Sequence, residues 1–358
     1  MPHAEHRISL IIPVRLTAAT HEGRERLLRI CQTVPRDLFE IVVSDYGTLE
    51  SHAGPLAEME ATGVRIARHP APQALFSIGK CRDFGVQMAS HAVVMFNDID
   101  FLCDTAMYRA IHAQAMARDL ATNRFDFFCV PVMFLTEAGN RAFLSGDASR
   151  LFSSGTLEQV EAAGDLVQST AHGSSAMVIN KAHYLSVGGH DQGFRGHGAE
   201  DYELLHRLSS LAPKGVRPHD YLTDYRHNGV RNYWGFRAFF ALYGLDLFAK
   251  GIRMVHLHHP RRPEKGYFRA RQNFRILKAA MKRFDVTGRH PDPLPDLANP
   301  RRLLVVAPSR EPAITWLRQI LPLHGSYDII RPPGQMDAKT LLALAREHGA
   351  DRIIALSS

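Results

Sequence analysis

Short, almost uninterrupted apolar runs alternating with helix-period segments constrain this chain most. The runs are "ISLIIPV" (8–14), "FEIVVSDYG" (39–47) and "HAVVMFNDID" (91–100), with a more polar strand expected in "GVRIARHP" (63–70). "HEGRERLLRICQTV" (21–34) follows the first with helical spacing, and "IGKCRDFGVQMAS" (78–90) precedes the last, its Ile78, Cys81, Phe84, Val86 and Met88 at helix-like intervals. Strands that are apolar on both faces belong in a sheet covered on both sides. The order strand, helix, strand, strand, helix, strand with short connections therefore predicts an α/β fold with a mostly parallel central sheet flanked by helices. Such sheets bind ligands beyond the carboxyl ends of their strands. Pro13-Val14-Arg15, Asp45-Tyr46-Gly47 and Asp98-Ile99-Asp100 all fall at those ends, which predicts a common crevice.

Further along, "FDFFCVPVMFL" (125–135) reads as one strand and 136–170 as polar helix and loop. "GSSAMVINKAHYLSVGGH" (173–190) reads as a strand and a short helix closed by Gly188-Gly189, a C-cap pattern. A Gly-rich loop then enters a helix whose first turn holds Glu200 and Asp201. Periodicity vanishes in "VTGRHPDPLPDLANP", so the expected organisation is a domain over 1–285, a linker over 286–300 and a partial Rossmann-like segment over 301–358. That segment reads strand, helix, strand, helix, strand and is expected to begin a further domain.

Apolar residues make up 45% and charged residues 22% of the 358, which excludes a disordered or fibrous chain. No apolar run approaches membrane-spanning length and the N-terminal run is too short for a signal peptide, so a cytoplasmic location is expected. The four cysteines show no CxxC spacing and are expected to be reduced thiols. The formal charge is +7, with basic residues concentrated in 250–290. Without the aromatic interleaving or finger spacing of nucleic-acid binders, this charge points to anionic substrates or peripheral contact with a membrane face.

Four constellations carry chemistry. On a continuing strand, Asp98 and Asp100 would share a face and a divalent ion such as Mg²⁺ or Mn²⁺; otherwise they cap a strand-end turn. Glu200 and Asp201 at a helix start suit hydrogen bonding to a substrate hydroxyl and proton removal, or serve the helix dipole. In "VHLHHPRR", His256 and His258 share a face on a strand, whereas a turn would let His259 reach a metal. Lys80 and Arg82 sit near a helix start where they would hold a diphosphate. Asp45 would accept from a nucleobase or ribose, and Arg15 follows the first strand.

Taken in order, "SLIIPVR", "FEIVVSDYG", "FSIGKCRDFGVQMASHAVVMFNDID", the block over 173–208 and "VHLHHPRR" resemble the family 2 glycosyltransferases of GT-A fold, particularly bacterial capsule and chondroitin-type polymerase domains. The 173–208 block is also similar to the C-terminal motif of the β-1,4-galactosyltransferases and N-acetylgalactosaminyltransferases. The resemblance spans about 7–285. It implies that Asp98 and Asp100 form the metal-binding DxD that holds the diphosphate of a nucleotide sugar. It further implies Asp201 as general base, Glu200 as an orienting acid, and His259, with His256 second, as the late metal ligand. Pro13, Arg15 and Asp45 correspond to nucleotide contacts; Lys80 and Arg82 correspond to the basic residues of the helix before the DxD.

The chain departs from the family at "SDYG", which replaces "DDGS", and at Arg195-Gly196-His197-Gly198, which replaces a Trp-Gly-Trp-Gly loop. The implied function is inverting transfer of an N-acetylhexosamine or hexose from a UDP-sugar to a glycan or lipid-linked glycan acceptor, in bacterial surface or capsular polysaccharide synthesis. Alternatives are a nucleotidyltransferase and a non-catalytic module of a polysaccharide-synthesis assembly. Against the former, "PVRLTAATHEGR" lacks a phosphate-binding glycine run.

Overall fold

The computed structural model describes residues 7–18, 20, 22–146, 164–225, 232–260, 267–299, 301–320, 325–332 and 336–356. The strands are β1 (Ile8–Val14), β2 (Phe39–Asp45), β3 (Arg65–Arg68), β4 (Val93–Phe96), β5 (Phe101–Leu102), β6 (Phe127–Cys129), β7 (Val132–Leu135), β8 (Val167–Ala171), β9 (Met177–Asn180), β10 (Met254–His256), β11 (Arg302–Val306), β12 (Ser326–Ile330) and β13 (Arg352–Ala355). The helices are α1 (Gly23–Thr33), α2 (Gly54–Ala61), α3 (Ile78–Met88), α4 (Thr105–Ala117), α5 (Glu137–Leu144), α6 (Lys181–Ser186), α7 (Glu200–Leu211), α8 (Gly235–Ala241), α9 (Leu245–Ala249), α10 (Ala270–Thr287), α11 (Arg310–Ile320) and α12 (Ala338–Glu347).

The central sheet runs β3-β2-β1-β4-β9-β6. β1 pairs in parallel with β2 and β4, and β2 with β3, whereas β9 runs antiparallel to both β4 and β6. This is the mostly parallel α/β sheet expected from the apolar runs. Side chains alternate between its two faces. Ile8, Leu10 and Ile12 join Leu27 and Ile30 of α1 in one core, and Ile11, Val42 and Val94 join Val86 of α3 in the other. Glycine at 85 lets α3 pack directly against β1 and β2. A Cβ there would stand 2.5 Å from Ile11 Cγ2 and 3.1 Å from Ser44 Cβ.

The single strand expected over 125–135 is two strands in different sheets. Pro131 separates them: it has no N–H for a ladder, and its carbonyl accepts from Met254 N at 2.8 Å. β6 ends the central sheet, whereas β7 enters a smaller sheet ordered β5-β10-β7-β8. Gly188 and Gly189 close α6 as expected, with φ of 78° and 58°. The third sheet, β12-β11-β13, is parallel. The described residues between α10 and β11 form no helix or strand, yet Leu294 N donates to Leu185 O, Ala298 N to Gln87 O, and Lys181 Nζ to Asp296 Oδ1 at 2.7 Å. Among the described residues, no helix is long and apolar enough to cross a membrane.

Candidate active site

β4 ends at Phe96, and a buried asparagine shapes the turn beyond it. Asn97 Nδ2 donates to the carbonyls of Asp98 and Phe101, both at 3.0 Å, and Asn97 Oδ1 accepts from Tyr108 at 3.0 Å. Asp98 and Asp100 therefore stand on a turn, closed by Phe101 N to Asp98 O at 2.8 Å. The expected shared face of a continuing strand does not form. Their carboxylates have separate partners. Asp98 accepts from Arg82 Nη2 at 2.6 and 2.8 Å and from Ser175 Oγ at 3.2 Å. Asp100 bonds Arg26 of α1 and lies 3.3 Å from His259 Nε2.

The small sheet delivers the histidines. β10 places His256 opposite Phe101 of β5 and Phe134 of β7. Its ring stacks on Phe134 at 4.6 Å and on His259 at 5.2 Å. One ligand atom from each of Asp100, His256 and His259 lies within 4.8 Å of the others. His258 lines the same cleft but is not part of this cluster, and its backbone N–H donates to Asn140 Oδ1 at 2.7 Å. Burial alone would raise the Asp100 pKa, but the hydrogen bond and charge of His259, with Arg26 and His256, hold it well below the usual carboxylate range. His259 is raised by its bond to Asp100 against burial, and His256 is lowered, chiefly by burial. A carboxylate with two imidazoles suits Mn²⁺ better than Mg²⁺, which favours oxygen ligands.

The second group of acids opens α7. Ala199 (φ 73°) and Gly198 (φ 118°) turn the chain into the helix, and Gly198 N donates to Glu200 Oε2 at 2.9 Å. Glu200 is buried and Asp201 is partly exposed. The buried guanidinium of Arg82 joins this pair to the turn after β4, since it bonds Asp98 and stands 3.9 Å from Glu200. Burial works against that guanidinium, but Asp98 and Glu200 hold its pKa above the ordinary value. Its Nε and Nη1 have no hydrogen-bond partner among the described residues. Burial raises the pKa of Asp201, the Glu200 charge adds to the rise, and Arg82 and His197 oppose it.

A cleft of about 490 Å³ runs past Pro13, Asp98, Asp100, His256 and His259. Its other wall is aromatic: Phe76 stacks on Tyr267 at 6.1 Å, and Tyr267 on His197 at 5.8 Å. Arg15 lies behind this surface, its guanidinium donating to the carbonyls of Tyr46, Ala74 and Gln73 at 2.6–2.8 Å. Asp45 is buried and accepts from Thr48 N at 2.9 Å. Lys80 is partly exposed near His69, whose pKa is lowered by burial and by that ammonium. The structure thus gathers Pro13, Asp98, Asp100, His256 and His259 on one cleft, with Arg82, Glu200 and Asp201 linked to it. Arg15, Asp45 and Lys80 do not line it.

The sequence profile of the family described as "Glycosyltransferase like family 2" matches residues 9–282. The chain belongs to that family. No curated protein matches the chain in sequence. Among solved structures, that of S. aureus TarS is similar at 13% identity over 56% of this chain and 33% of that one, with a TM-score of 0.37. TarS 1-349 in complex with UDP gives 13%, 56%, 54% and 0.37, and in complex with UDP-GlcNAc 15%, 37%, 34% and 0.28. The chain therefore spans about a third to a half of the length of those chains. Similarity at that level decides nothing about the site.

The family member's site includes residues that its linear motifs do not signal. Arg26 lies on a helix that reads only as amphipathic, and Ser175 reads as part of a strand. Both reach the DxD acids by long-range packing, since α1 and the start of β9 are far from 98–100 in sequence. Their partners become visible only once the sheet order is known.

Proposed function

We propose that this protein transfers a sugar, an N-acetylhexosamine or hexose, from a UDP-sugar to a hydroxyl of a glycan or lipid-linked glycan acceptor, with inversion. The observation that carries the proposal is the link through Arg82. One buried guanidinium joins the strand-end acid Asp98 to the Glu200-Asp201 helix start, beside the Asp100, His256 and His259 cluster.

In this reading, Asp100, His259 and His256, with Asp98 adjoining, would hold Mn²⁺ or Mg²⁺. That ion would offset the charge of the departing diphosphate. Arg82 Nε and Nη1, which donate no hydrogen bond among the described residues, suit phosphate oxygens, because buried donors call for acceptors. Asp201 takes the acceptor hydroxyl's proton while the oxygen attacks the anomeric carbon. The bond from that carbon to the diphosphate oxygen breaks, and UDP leaves with the electron pair. A raised carboxylate pKa favours this role, since a base works best when poised nearer the working pH. Glu200 is anchored on Gly198 N and orients the bound sugars. Pro13, Arg15 and Asp45 would shape the nucleotide end, Arg15 through the loop carbonyls it binds, and Lys80 would add charge.

We also take 1–285 as the catalytic unit, 286–300 as its connection and 301–358 as part of a further α/β domain. The expected setting is bacterial surface or capsular polysaccharide synthesis, in the cytoplasm with peripheral contact at the inner membrane face and no nucleic acid. Incubation with Mn²⁺ and a panel of nucleotide sugars tests the reading. Release of a nucleoside diphosphate from one donor supports it. Pyrophosphate release would assign a nucleotidyltransferase, and neither turnover nor metal-dependent nucleotide binding would assign a non-catalytic module.

A further inference from the structure

α10 carries a row of cations that the proposed chemistry leaves unused. Arg271, Arg275, Lys278 and Lys282 are all exposed and recur at intervals of four, three and four residues. At about 100° and 1.5 Å per residue they form a single file, within roughly 60° of arc and about 16 Å long. No ion pair or side-chain hydrogen bond engages any of the four among the described residues. Asp285 is the helix's one acid, and it is committed to Arg217 at 2.8 Å and His206 at 3.2 Å. The opposite face, with Asn273, Leu277, Ala280, Met281 and Phe284, is buried.

The row begins at the active site. Asn273 Nδ2 donates to Gly198 O at 2.8 Å and Arg195 O at 3.1 Å, and His197 N donates to Tyr267 O at 2.8 Å. A Cβ on Gly198 would stand 3.3 Å from Ala270 Cα. The first turn of α10 is thus bolted to the loop that presents Glu200 and Asp201. Arg195, exposed on that loop, adds a cation at the near end.

We propose that this row is a track for a polyanionic acceptor chain, one bearing phosphodiester or carboxylate groups along its length. The inference rests on the glycosyltransferase reading and names its acceptor class. Four unpaired like charges on one helix face repel one another unless anions lie along them. Single file from the loop of the base fits an extended chain whose end is positioned for reaction. A membrane-docking helix would add a bulky apolar face to sink into the headgroup boundary. Here the exposed large aliphatics are Ile276, 39% exposed at the far flank, and Val286, beyond the last cation.

The test uses the full chain with fluorescent dextran sulfate as probe and neutral dextran as control. Wild type should bind the sulfated polymer, more weakly as salt rises, and ignore the neutral one. The variant Arg271→Ala/Arg275→Ala/Lys278→Ala/Lys282→Ala should lose roughly tenfold or more in affinity. A variant with the same change in net charge at remote exposed sites, Arg24→Ala/Arg65→Ala/Arg68→Ala/Arg141→Ala, should stay near wild type. Equal losses in both variants, or none in the first, overturn the track. Loss of binding to phosphatidylglycerol vesicles with dextran sulfate binding intact would also overturn it, assigning the face to membrane. Nucleotide-sugar hydrolysis by wild type is read separately: its absence alongside track binding would fail the functional reading while sustaining the track.

Discussion

Among single residues, Asp201 bears most of the proposed chemistry. Its raised pKa means that ionising it costs the folded state. The cost is absent below the unfolded carboxylate pKa of about 4, grows as pH rises towards the folded value, and persists at neutral pH. Asp201→Asn should therefore melt at or above the wild-type temperature at pH 7, and the difference should shrink as the pH falls towards 4. For the same reason the acidic limb of the pH–rate profile should lie above the ordinary carboxylate range. By contrast, Asp98→Ala leaves the buried Arg82 without its main partner and should cost about 3 kcal/mol in chemical denaturation. Asp100→Ala should abolish Mn²⁺-dependent binding of UDP while leaving Mn²⁺-independent binding in place, which calorimetry reads directly.

Between helices and strands, close approach decides what is tolerated. Gly85→Val drives a branched side chain of α3 into Ile11 and Ser44. Overpacking of that kind should cost about 1–3 kcal/mol, read as a lower denaturation midpoint with an unchanged slope. The period of α3 was legible in Ile78, Cys81 and Val86, and the strands of the central sheet were legible because their apolar runs are continuous. The small sheet was not. β5 has 2 residues and β10 has 3, too few for any periodicity; they exist because β10 pairs with both β5 and β7. The split at Pro131 could be read from that proline's missing donor, but the flanking apolar residues outweigh it in a linear reading. For the same reason the DxD looked like a strand: only Asn97, bonded to two carbonyls and a tyrosine, reveals the turn.

Across the whole molecule, long-range ion pairs join what the sequence separates. Arg26 to Asp100, Arg82 to Asp98 and Glu200, and Lys181 to Asp296 each span stretches over which composition carries no signal. Thus the candidates Asp98, Asp100, Glu200, Asp201, His256 and His259 could be named from motif order, whereas their partners Arg26 and Ser175 could not. Asp296→Ala strips the buried Lys181 of its carboxylate and should cost about 3 kcal/mol, with faster proteolysis between 286 and 300 as the readout. Nucleotide-sugar transfer with Asp201 as its base has a direct test in the rate of acceptor-dependent UDP release with Mn²⁺, measured for wild type and Asp201→Asn at equal donor saturation. The variant should lose about 10²–10⁴-fold in that rate with donor affinity retained; near-wild-type release from Asp201→Asn would contradict the assignment.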